Sequence, residues 1–167
     1  MGLVLVHFEH YTTQWGDIMK SCFFIGHRDI AHDILPQLCA EVERHICMYG
    51  VTEFIVGHYG AFDRLAASAV ITAKKQHPEI TLSLLIPYHP AERPIAPPPG
   101  FDNTFYPPGM ENVPRRLAIV RTNRYMVDHA DYLIAYVWHT ASNARTLLEY
   151  AKKREARNLL SVTTLPA

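Results

Sequence analysis

The chain has 167 residues, of which 49% are hydrophobic and 19% are charged, which suits one globular domain and excludes a disordered or fibrous chain. Lysine plus arginine balances aspartate plus glutamate at 16 each, and a zero formal charge argues against a general nucleic-acid surface. No apolar run approaches the roughly 20 residues of a membrane-spanning helix, and residues 1–6 lack the features of a secretory signal. We therefore expect a cytoplasmic protein that has neither nucleic acid nor a membrane as a partner.

The cysteines and histidines predict no metal site. Cys22, Cys39 and Cys47 are an odd number of thiols without metal-type spacing, which is typical of small buried thiols in a reducing compartment. Several histidines lie near predicted strand ends, yet no H-x-x-x-H or C-x-x-C pair accompanies them. We expect neither a metal nor another cofactor. The histidines in question are His27, His58, His129 and His139.

The first half of the chain predicts two strand–helix units behind an N-terminal extension. Residues 1–18 show no clear period beyond an apolar start, and we interpret them as an extension of uncertain role, or an added edge strand, before a domain at 19–167. A continuous apolar run at 21–26 predicts a strand buried on both faces. A helix follows at 33–48, with Asp33 as its N-cap and Pro36 in its first turn. A strand at 53–56 and a helix at 61–75 come next.

The second half continues the alternation after one long loop. A strand at 81–86 precedes a proline-rich loop at 87–112, and loops of this length are more often functional lids than plain connectors. A helix then begins near Pro114 and runs to residue 129, followed by a strand at 132–137, a helix at 143–155 and a strand at 159–164. This order predicts a single Rossmann-like three-layer α/β domain, with helices on both faces of a mainly parallel sheet of about five strands.

Ligands of open parallel sheets bind beyond the carboxyl ends of the strands, so the residues that follow each strand form the candidate site. Three such segments are small or polar, and each leads into a helix, whose N-terminus favours anions. Each also has a structural interpretation, because glycine suits any strand-to-helix turn and Asp, Ser, Thr and Asn cap helices. The candidate ligand-binding residues are Gly26, His27 and Arg28 after the first strand, Gly57, Gly60 and Asp63 after the second, and Thr140, Ser142 and Asn143 after the fourth.

A fourth candidate segment precedes the strand at 132–137. Arg121 and Arg124 are three residues apart on one predicted helix face, and Asn123 lies between them. All three are candidate ligand-binding residues. A solvated charged face is the structural alternative for the two arginines.

Three stretches of the chain resemble the YpsA-like branch of the SLOG superfamily. They are the strand end at 22–28 (CFFIGHR), the Gly57-x-x-Gly60-x-x-Asp63 turn, and the block at 123–135 (NRYMVDHADYLIA), in family order over about residues 20–165. The resemblance implies a Rossmann-like domain that binds nucleotides or molecules of the NAD or ADP-ribose type. It also raises self-association as a homodimer, because LOG-type relatives form dimers.

Some SLOG relatives, the LOG-type (lysine-decarboxylase-like) phosphoribohydrolases, cleave the N-glycosidic bond of a nucleoside monophosphate and carry a Pro-Gly-Gly-x-Gly-Thr-x-x-Glu motif. Residues 141–149 (ASNARTLLE) occupy the corresponding place, where Thr146 and Glu149 match but the proline and all three glycines are replaced. A tight backbone cradle for phosphate is therefore not expected there. The resemblance gives Glu149 the role of a carboxylate that stabilises positive charge on a ribose, whereas an i,i+4 pair with Lys153 is the structural alternative. Neither Arg121 nor Arg124 aligns cleanly with the catalytic arginine of these enzymes.

Three functions are open on these grounds. The first is binding of a nucleotide-derived small molecule (nucleoside monophosphate, ADP-ribose or NAD type) at the carboxyl edge of the sheet, as a sensor or effector domain. The second is a phosphoribohydrolase-type N-glycoside hydrolase with Glu149 as the catalytic carboxylate, so the question of an enzyme stays open. The third is a protein-interaction module without a small ligand, which would use the loop aromatics Phe101, Phe105 and Tyr106.

Overall fold

The computed structural model describes residues 19–30 and 33–166. Its strands are β1 Lys20–Gly26, β2 Val51–Val56, β3 Thr81–Leu85, β4 Asn103–Phe105, β5 Tyr132–Tyr136 and β6 Ser161–Thr164. Its helices are α1 Leu35–Tyr49, α2 Ala61–Lys74, α3 Ala118–His129 and α4 Asn143–Glu155, and two short 3-10 turns lie at Met110–Asn112 and Arg115–Leu117. The predicted extension at 1–18 lies outside the described residues.

Within residues 19–30 and 33–166, the sheet has six parallel strands in the order β4-β3-β2-β1-β5-β6. The chain builds one half of the sheet outward from β1 to β4, and then returns to place β5 on the other side of β1. β1 and β5 therefore flank the point at which the strand order reverses, where open α/β sheets bind their ligands. The predicted Rossmann-like α/β class is confirmed, and the described part of the chain forms six strands rather than about five.

The additional strand, β4, lies inside the predicted loop at 87–112, so that prediction is wrong over residues 103–105. β4 pairs in parallel with the edge of β3. Asp102 secures its start, because its carboxylate accepts a hydrogen bond from the Leu82 amide at 2.8 Å and lies 2.6 Å from the Lys74 ammonium. A strand of three residues with one buried side chain, Phe105, has too little periodicity to be recognised in the sequence.

Side chains of β1 alternate between two hydrophobic cores. Cys22 and Phe24 pack in the core under α1 and α2, whereas Phe23 and Ile25 pack in the core under α3 and α4. All four are at most 4% exposed, so β1 is buried on both faces, as its apolar run predicts. Because β1, β2 and β5 run parallel, the loops that follow them lie together at the carboxyl edge of the sheet.

Two helix starts differ from their predictions. α1 begins at Leu35 with Ile34 as its N-cap, and the predicted cap Asp33 instead accepts a hydrogen bond from the Leu35 amide at 3.0 Å. The segment after Pro114 starts as a 3-10 turn, and α3 itself begins at Ala118. α4 has its predicted bounds.

None of the three cysteines, all of which the structure describes, forms a disulfide; Cys22 is buried and Cys39 is half-buried, but Cys47 is exposed, so the prediction of small buried thiols is wrong for Cys47. Within residues 19–30 and 33–166, no helix is both long enough and apolar enough to cross a lipid bilayer.

Candidate functional site

A cavity of about 350 Å³ opens at the carboxyl edge of the sheet, at the end of the central strand β1. Its volume lies at the lower end of the range for small-molecule sites. All of the predicted ligand-binding residues except Arg121, Arg124 and Thr140 line it. The lining residues are Phe23, Phe24, Ile25, Gly26, His27, Arg28, Gly57, His58, Tyr59, Gly60, Asp63, Ile119, Val120, Asn123, Ser142, Asn143, Ala144 and Leu147.

The first turn of α2 is already occupied by the backbone of the protein. The amides of Ala61 and Phe62 donate hydrogen bonds to the carbonyl oxygens of Arg28 and His27, at 3.0 and 3.4 Å. The loop after β1 thus takes the place that an anion would occupy at this helix N-terminus. An anion in the cavity therefore needs other donors.

Asp63 stabilises the same turn of α2. It is the third residue after the N-cap Gly60, and its carboxylate accepts a hydrogen bond from the Tyr59 amide at 3.1 Å. The Gly60 amide also bonds to it, so Asp63 supplies the acidic half of a capping box. Burial raises the pKa of Asp63, and the two backbone hydrogen bonds oppose that rise. The carboxylate is thus engaged by its own loop.

Internal packing accounts for the three glycines of these loops. A Cβ on Gly60 would lie 3.2 Å from the backbone of the loop after β1. A Cβ on Gly26 would lie 2.3 Å from the Phe62 ring, and one on Gly57 would lie 3.1 Å from the Asp63 carboxylate. The close approach that glycine permits is therefore an approach of the protein to itself.

His27 joins the loops that follow the two central strands. Its Nε2 accepts hydrogen bonds from the amides of Trp138 at 3.1 Å and His139 at 3.0 Å. Burial lowers the pKa of His27, and the neighbouring His139 lowers it further. A ring that accepts two hydrogen bonds at Nε2 is neutral and carries its proton on Nδ1. His27 thus positions the β5–α4 loop, a role that the sequence analysis did not predict.

The first turn of α4 presents unused donors to the cavity. The Ser142 hydroxyl caps this helix by accepting a hydrogen bond from the Arg145 amide at 3.1 Å. The amides of Asn143 and Ala144, two lining residues, make no hydrogen bond with any other described residue. Two free N–H groups at the positive end of a helix favour an anion.

Arg28 adds positive charge to the same cavity. It is exposed, and its guanidinium forms no ion pair or hydrogen bond with another residue in the described part of the chain. A planar guanidinium with free donors matches the oxygen atoms of a phosphate or carboxylate. The only carboxylate among the described lining residues is Asp63, which its own loop engages. The cavity therefore suits an anion better than a cation.

Two more arginines lie near the β2–α2 loop. The guanidinium carbons of Arg93 and Arg115 lie 5.8 and 5.2 Å from the centre of the Tyr88 ring. Burial raises the pKa of Tyr59 in the cavity wall, Tyr88 adds to the rise, and Arg93 opposes it, so this cluster borders the wall. No described residue from 87–112 belongs to the wall itself.

The remaining wall is largely apolar and belongs to α3 and α4. Ile119 and Val120 contribute from α3, and Leu147 contributes from α4. Val120 is 48% exposed, so its apolar surface is available to a ligand. Asn123 lies one turn after Ile119, and its side-chain amide makes no hydrogen bond with any other described residue. The apolar residues of this wall suit the face of a flat, uncharged ring, and the Asn123 side chain suits a hydroxyl or a polar group on the edge of that ring.

Glu149, the candidate catalytic carboxylate, does not line the cavity. Its Oε1 lies 3.2 Å from Nε of Arg145, and its side chain is 61% exposed. Its i,i+4 partner is thus Arg145, one turn earlier, rather than Lys153. A solvent-exposed pair of this kind is a surface ion pair.

The two arginines of α3 and Thr140 also lie outside the wall. The guanidinium carbon of Arg124 lies 3.1 Å from the centre of the Tyr150 ring, and its Nε lies 3.7 Å from a carboxylate oxygen of Asp128. Arg121 and Thr140 are exposed. Arg124 therefore contributes to the contact between α3 and α4.

Sequence reasoning missed the apolar and aromatic part of the wall. A weak signal exists, because Ile119 and Asn123 are four residues apart and Ala144 and Leu147 are three apart, so each pair shares a helix face. The same spacing is typical of a core stripe, and only the tertiary structure separates the two. The lining residues that were not among the predicted site residues are Phe23, Phe24, Ile25, His58, Tyr59, Ile119, Val120, Ala144 and Leu147.

No protein-family model matches the chain, and no curated protein matches it. The function is therefore proposed from the cavity itself, together with the resemblance of the motifs at 22–28, 57–63 and 123–135.

Proposed function

We propose that the cavity binds a nucleotide-derived small molecule whose phosphate lies at the first turn of α4, beside Arg28. The observation that carries this proposal is the contrast between the two helix N-termini at the cavity. Backbone carbonyls accept hydrogen bonds from the first two helical amides of α2, those of Ala61 and Phe62, whereas the equivalent amides of α4, those of Asn143 and Ala144, are free of any described partner. Free helix amides and an unpaired guanidinium are the donors that proteins use for phosphate.

A phosphate at α4 does not need the glycine-rich cradle of LOG-type enzymes. The two free amides belong to the first two helical residues, and Ala144 carries only a methyl group there. Contact along the helix axis therefore replaces a loop that wraps around the phosphate. The resemblance to YpsA-like SLOG proteins supports the same class of ligand.

The rest of the ligand lies against α3 and α4. The wall of Ile119, Val120 and Leu147 suits the face of a base, and the Asn123 amide suits a ribose hydroxyl or the edge of the base. A cavity of about 350 Å³ favours a ligand of nucleoside monophosphate size over a dinucleotide such as NAD.

Binding is favoured over hydrolysis because the described wall offers no free carboxylate. The hydrolase alternative needs Glu149 beside the ribose, and Glu149 instead pairs with Arg145 outside the wall. Asp63 does line the wall, but it accepts hydrogen bonds from its own loop. We therefore favour a sensor or effector domain that recognises its ligand without cleaving it.

The aromatic residues of the 87–112 segment do not favour an interaction module. Phe105 lies in β4 and is 8% exposed. Phe101 packs against the core under α1 and α2, and Tyr106 packs edge-on against the His89 ring. Side chains that pack within their own domain offer little surface to a partner.

Isothermal titration calorimetry with AMP, adenosine and inorganic phosphate tests the proposal. We expect AMP to bind more tightly than adenosine, because a hydrogen bond to a charged group contributes about 1.5–3 kcal/mol. Arg28→Gln should weaken AMP binding about tenfold, which corresponds to the lower end of that energy range, because the Arg28 side chain is exposed. The same substitution should leave adenosine binding unchanged. Arg121→Gln removes an exposed arginine outside the wall and is the matched control.

Equal affinities for AMP and adenosine, or unchanged AMP binding by Arg28→Gln, would contradict the proposed position of the phosphate. A thermal-unfolding screen with other nucleoside monophosphates, ADP-ribose and NAD covers the ligand class, since a hundredfold excess over Kd stabilises by about 2.7 kcal/mol. No stabilisation by any of them at millimolar concentration would contradict the class. Release of free base in the same samples would favour the hydrolase.

A further inference from the structure

A group of side chains of the types that bind metal ions lies at the edge of the sheet opposite the cavity. Glu43 and Cys47 are four residues apart on one face of α1, and His77 follows the end of α2. Helices of a parallel α/β sheet run against the strands, so the C-terminal ends of α1 and α2 meet at the amino edge of the sheet. This group is therefore independent of the proposed nucleotide site.

The three side chains converge on one point. Nε2 of His77 lies 2.6 Å from Oε1 of Glu43, and Sγ of Cys47 lies 3.4 Å from the same oxygen. One ligand atom from each residue lies within 4.8 Å of the other two. Ligands at about 2.0–2.3 Å from a tetrahedral Zn²⁺ are roughly 3.3–3.8 Å apart, so side-chain shifts of about 1 Å or less complete the geometry.

The backbone and a second carboxylate hold His77 in place. Its amide donates to the Ala73 carbonyl at 2.9 Å, and its carbonyl accepts from the Ile80 amide at 3.2 Å. Oε1 of Glu79 lies 3.6 Å from Nδ1, the ring nitrogen that does not contact Glu43. Zinc-bound histidines usually donate their other ring N–H to a carboxylate of this kind. Glu79 is within ion-pair distance, and a shift of less than about 1 Å would bring its carboxylate within hydrogen-bond distance of Nδ1.

We propose that Glu43, Cys47 and His77 bind Zn²⁺, with solvent in the fourth position and Glu79 orienting His77. On binding, the Cys47 thiol and Nε2 of His77 each release a proton to solvent, and the ligating imidazole keeps its proton on Nδ1, on the side of Glu79. The Glu43 side chain is 45% exposed and that of His77 is 19% exposed, so an ion reaches the site from solvent. The bound ion ties the last turns of α1 to the segment after α2.

Titration of the untagged, reduced 167-residue chain with Co²⁺ tests this site. A cobalt–thiolate bond produces a charge-transfer absorption band in the near ultraviolet, which binding by histidines alone does not produce. We expect the band to saturate at one equivalent and Zn²⁺ to abolish it by competition. Cys47→Ser should remove the band, whereas Cys39→Ser, which removes another thiol of α1, should leave it intact.

Zinc affinity measured by competition then tests the other ligands. His77→Gln should weaken Zn²⁺ binding more than about tenfold, and Glu79→Gln should weaken it about tenfold. Because Cys47 is exposed, Cys47→Ser should unfold at the wild-type temperature without metal, which separates lost binding from lost folding. A band that survives in Cys47→Ser, a band that is lost in Cys39→Ser, or no band at one equivalent would overturn the site. The contact between His77 and Glu43 would then be an ion pair only.

Discussion

Replacing His27 by alanine should loosen the β5–α4 loop, by an amount that depends on pH. The ring accepts hydrogen bonds at Nε2 from the amides of Trp138 and His139, at 3.1 and 3.0 Å. Each such bond contributes about 0.5–1.5 kcal/mol net, and solvent access places the sum near its lower limit, at about 1 kcal/mol. We expect His27→Ala to lower the free energy of unfolding by this amount at pH 8. It should also weaken AMP binding, because the same loop leads to Asn143.

The pH dependence follows from the pKa of His27, which burial and His139 lower from its ordinary value of 6.5. As the pH falls below 6.5, the unfolded chain takes up a proton at this ring before the folded chain does, so the folded state loses stability. The contribution of His27 is therefore present above pH 6.5 and is lost as the pH falls through the lower pKa of the folded state. At the acidic end of this titration, the difference in stability between wild type and His27→Ala should disappear or reverse.

Urea unfolding at a series of pH values measures this difference directly. His58→Ala is the matched control, because it removes an exposed histidine of the neighbouring loop that makes no hydrogen bond with another described residue. Amide resonances of Trp138 and His139 in NMR spectra report on the loop itself and should shift as His27 titrates. A stability difference that is the same at every pH, together with unmoved amide resonances, would refute an acceptor role for Nε2.

Three further substitutions test the loops of the cavity. Gly60→Ala should lower the free energy of unfolding by about 1–3 kcal/mol, measured by urea unfolding, because its Cβ would lie 3.2 Å from backbone atoms of His27 and Arg28. Ser142→Ala should cost about 1 kcal/mol through loss of the α4 cap, and calorimetry should show weaker AMP binding. Glu149→Gln should change AMP affinity by less than about twofold, because Glu149 belongs to a surface ion pair. A large loss of affinity would mean that Glu149 contacts the ligand.

Most of the fold follows from patterns that the sequence carries locally. The continuous apolar run that ends at Gly26 predicts β1, and the polar residues before Asn143 predict the start of α4. The sequence does not predict β4, because its pairing depends on contacts with residues that are distant in the chain. Asp102 reaches the Leu82 amide and the Lys74 ammonium only after β3 and α2 are in place.

The position of the cavity is predictable because a parallel sheet gathers its strand ends at one edge. The sequence does not predict which backbone amides at that edge are free to bind a ligand. The turns before α2 and α4 look alike in sequence, since each combines small residues with a residue that caps a helix. Their difference arises from the loop after β1, whose carbonyls reach the amides of α2 but not those of Asn143 and Ala144. That loop was predicted as a ligand-binding segment, and its backbone instead bonds to α2.

The first turn of α2 also fixes the position of Arg28. The hydrogen bond from the Ala61 amide to the Arg28 carbonyl, at 3.0 Å, fixes the backbone of Arg28 at the cavity, and its guanidinium stays free for the ligand that we propose at α4. Gly60 permits this contact, because a Cβ there would meet the Arg28 backbone. Gly60→Ala should therefore weaken AMP binding more than adenosine binding, although Gly60 offers no side chain to a phosphate. Equal losses for the two ligands would mean that Arg28 acts independently of the α2 turn.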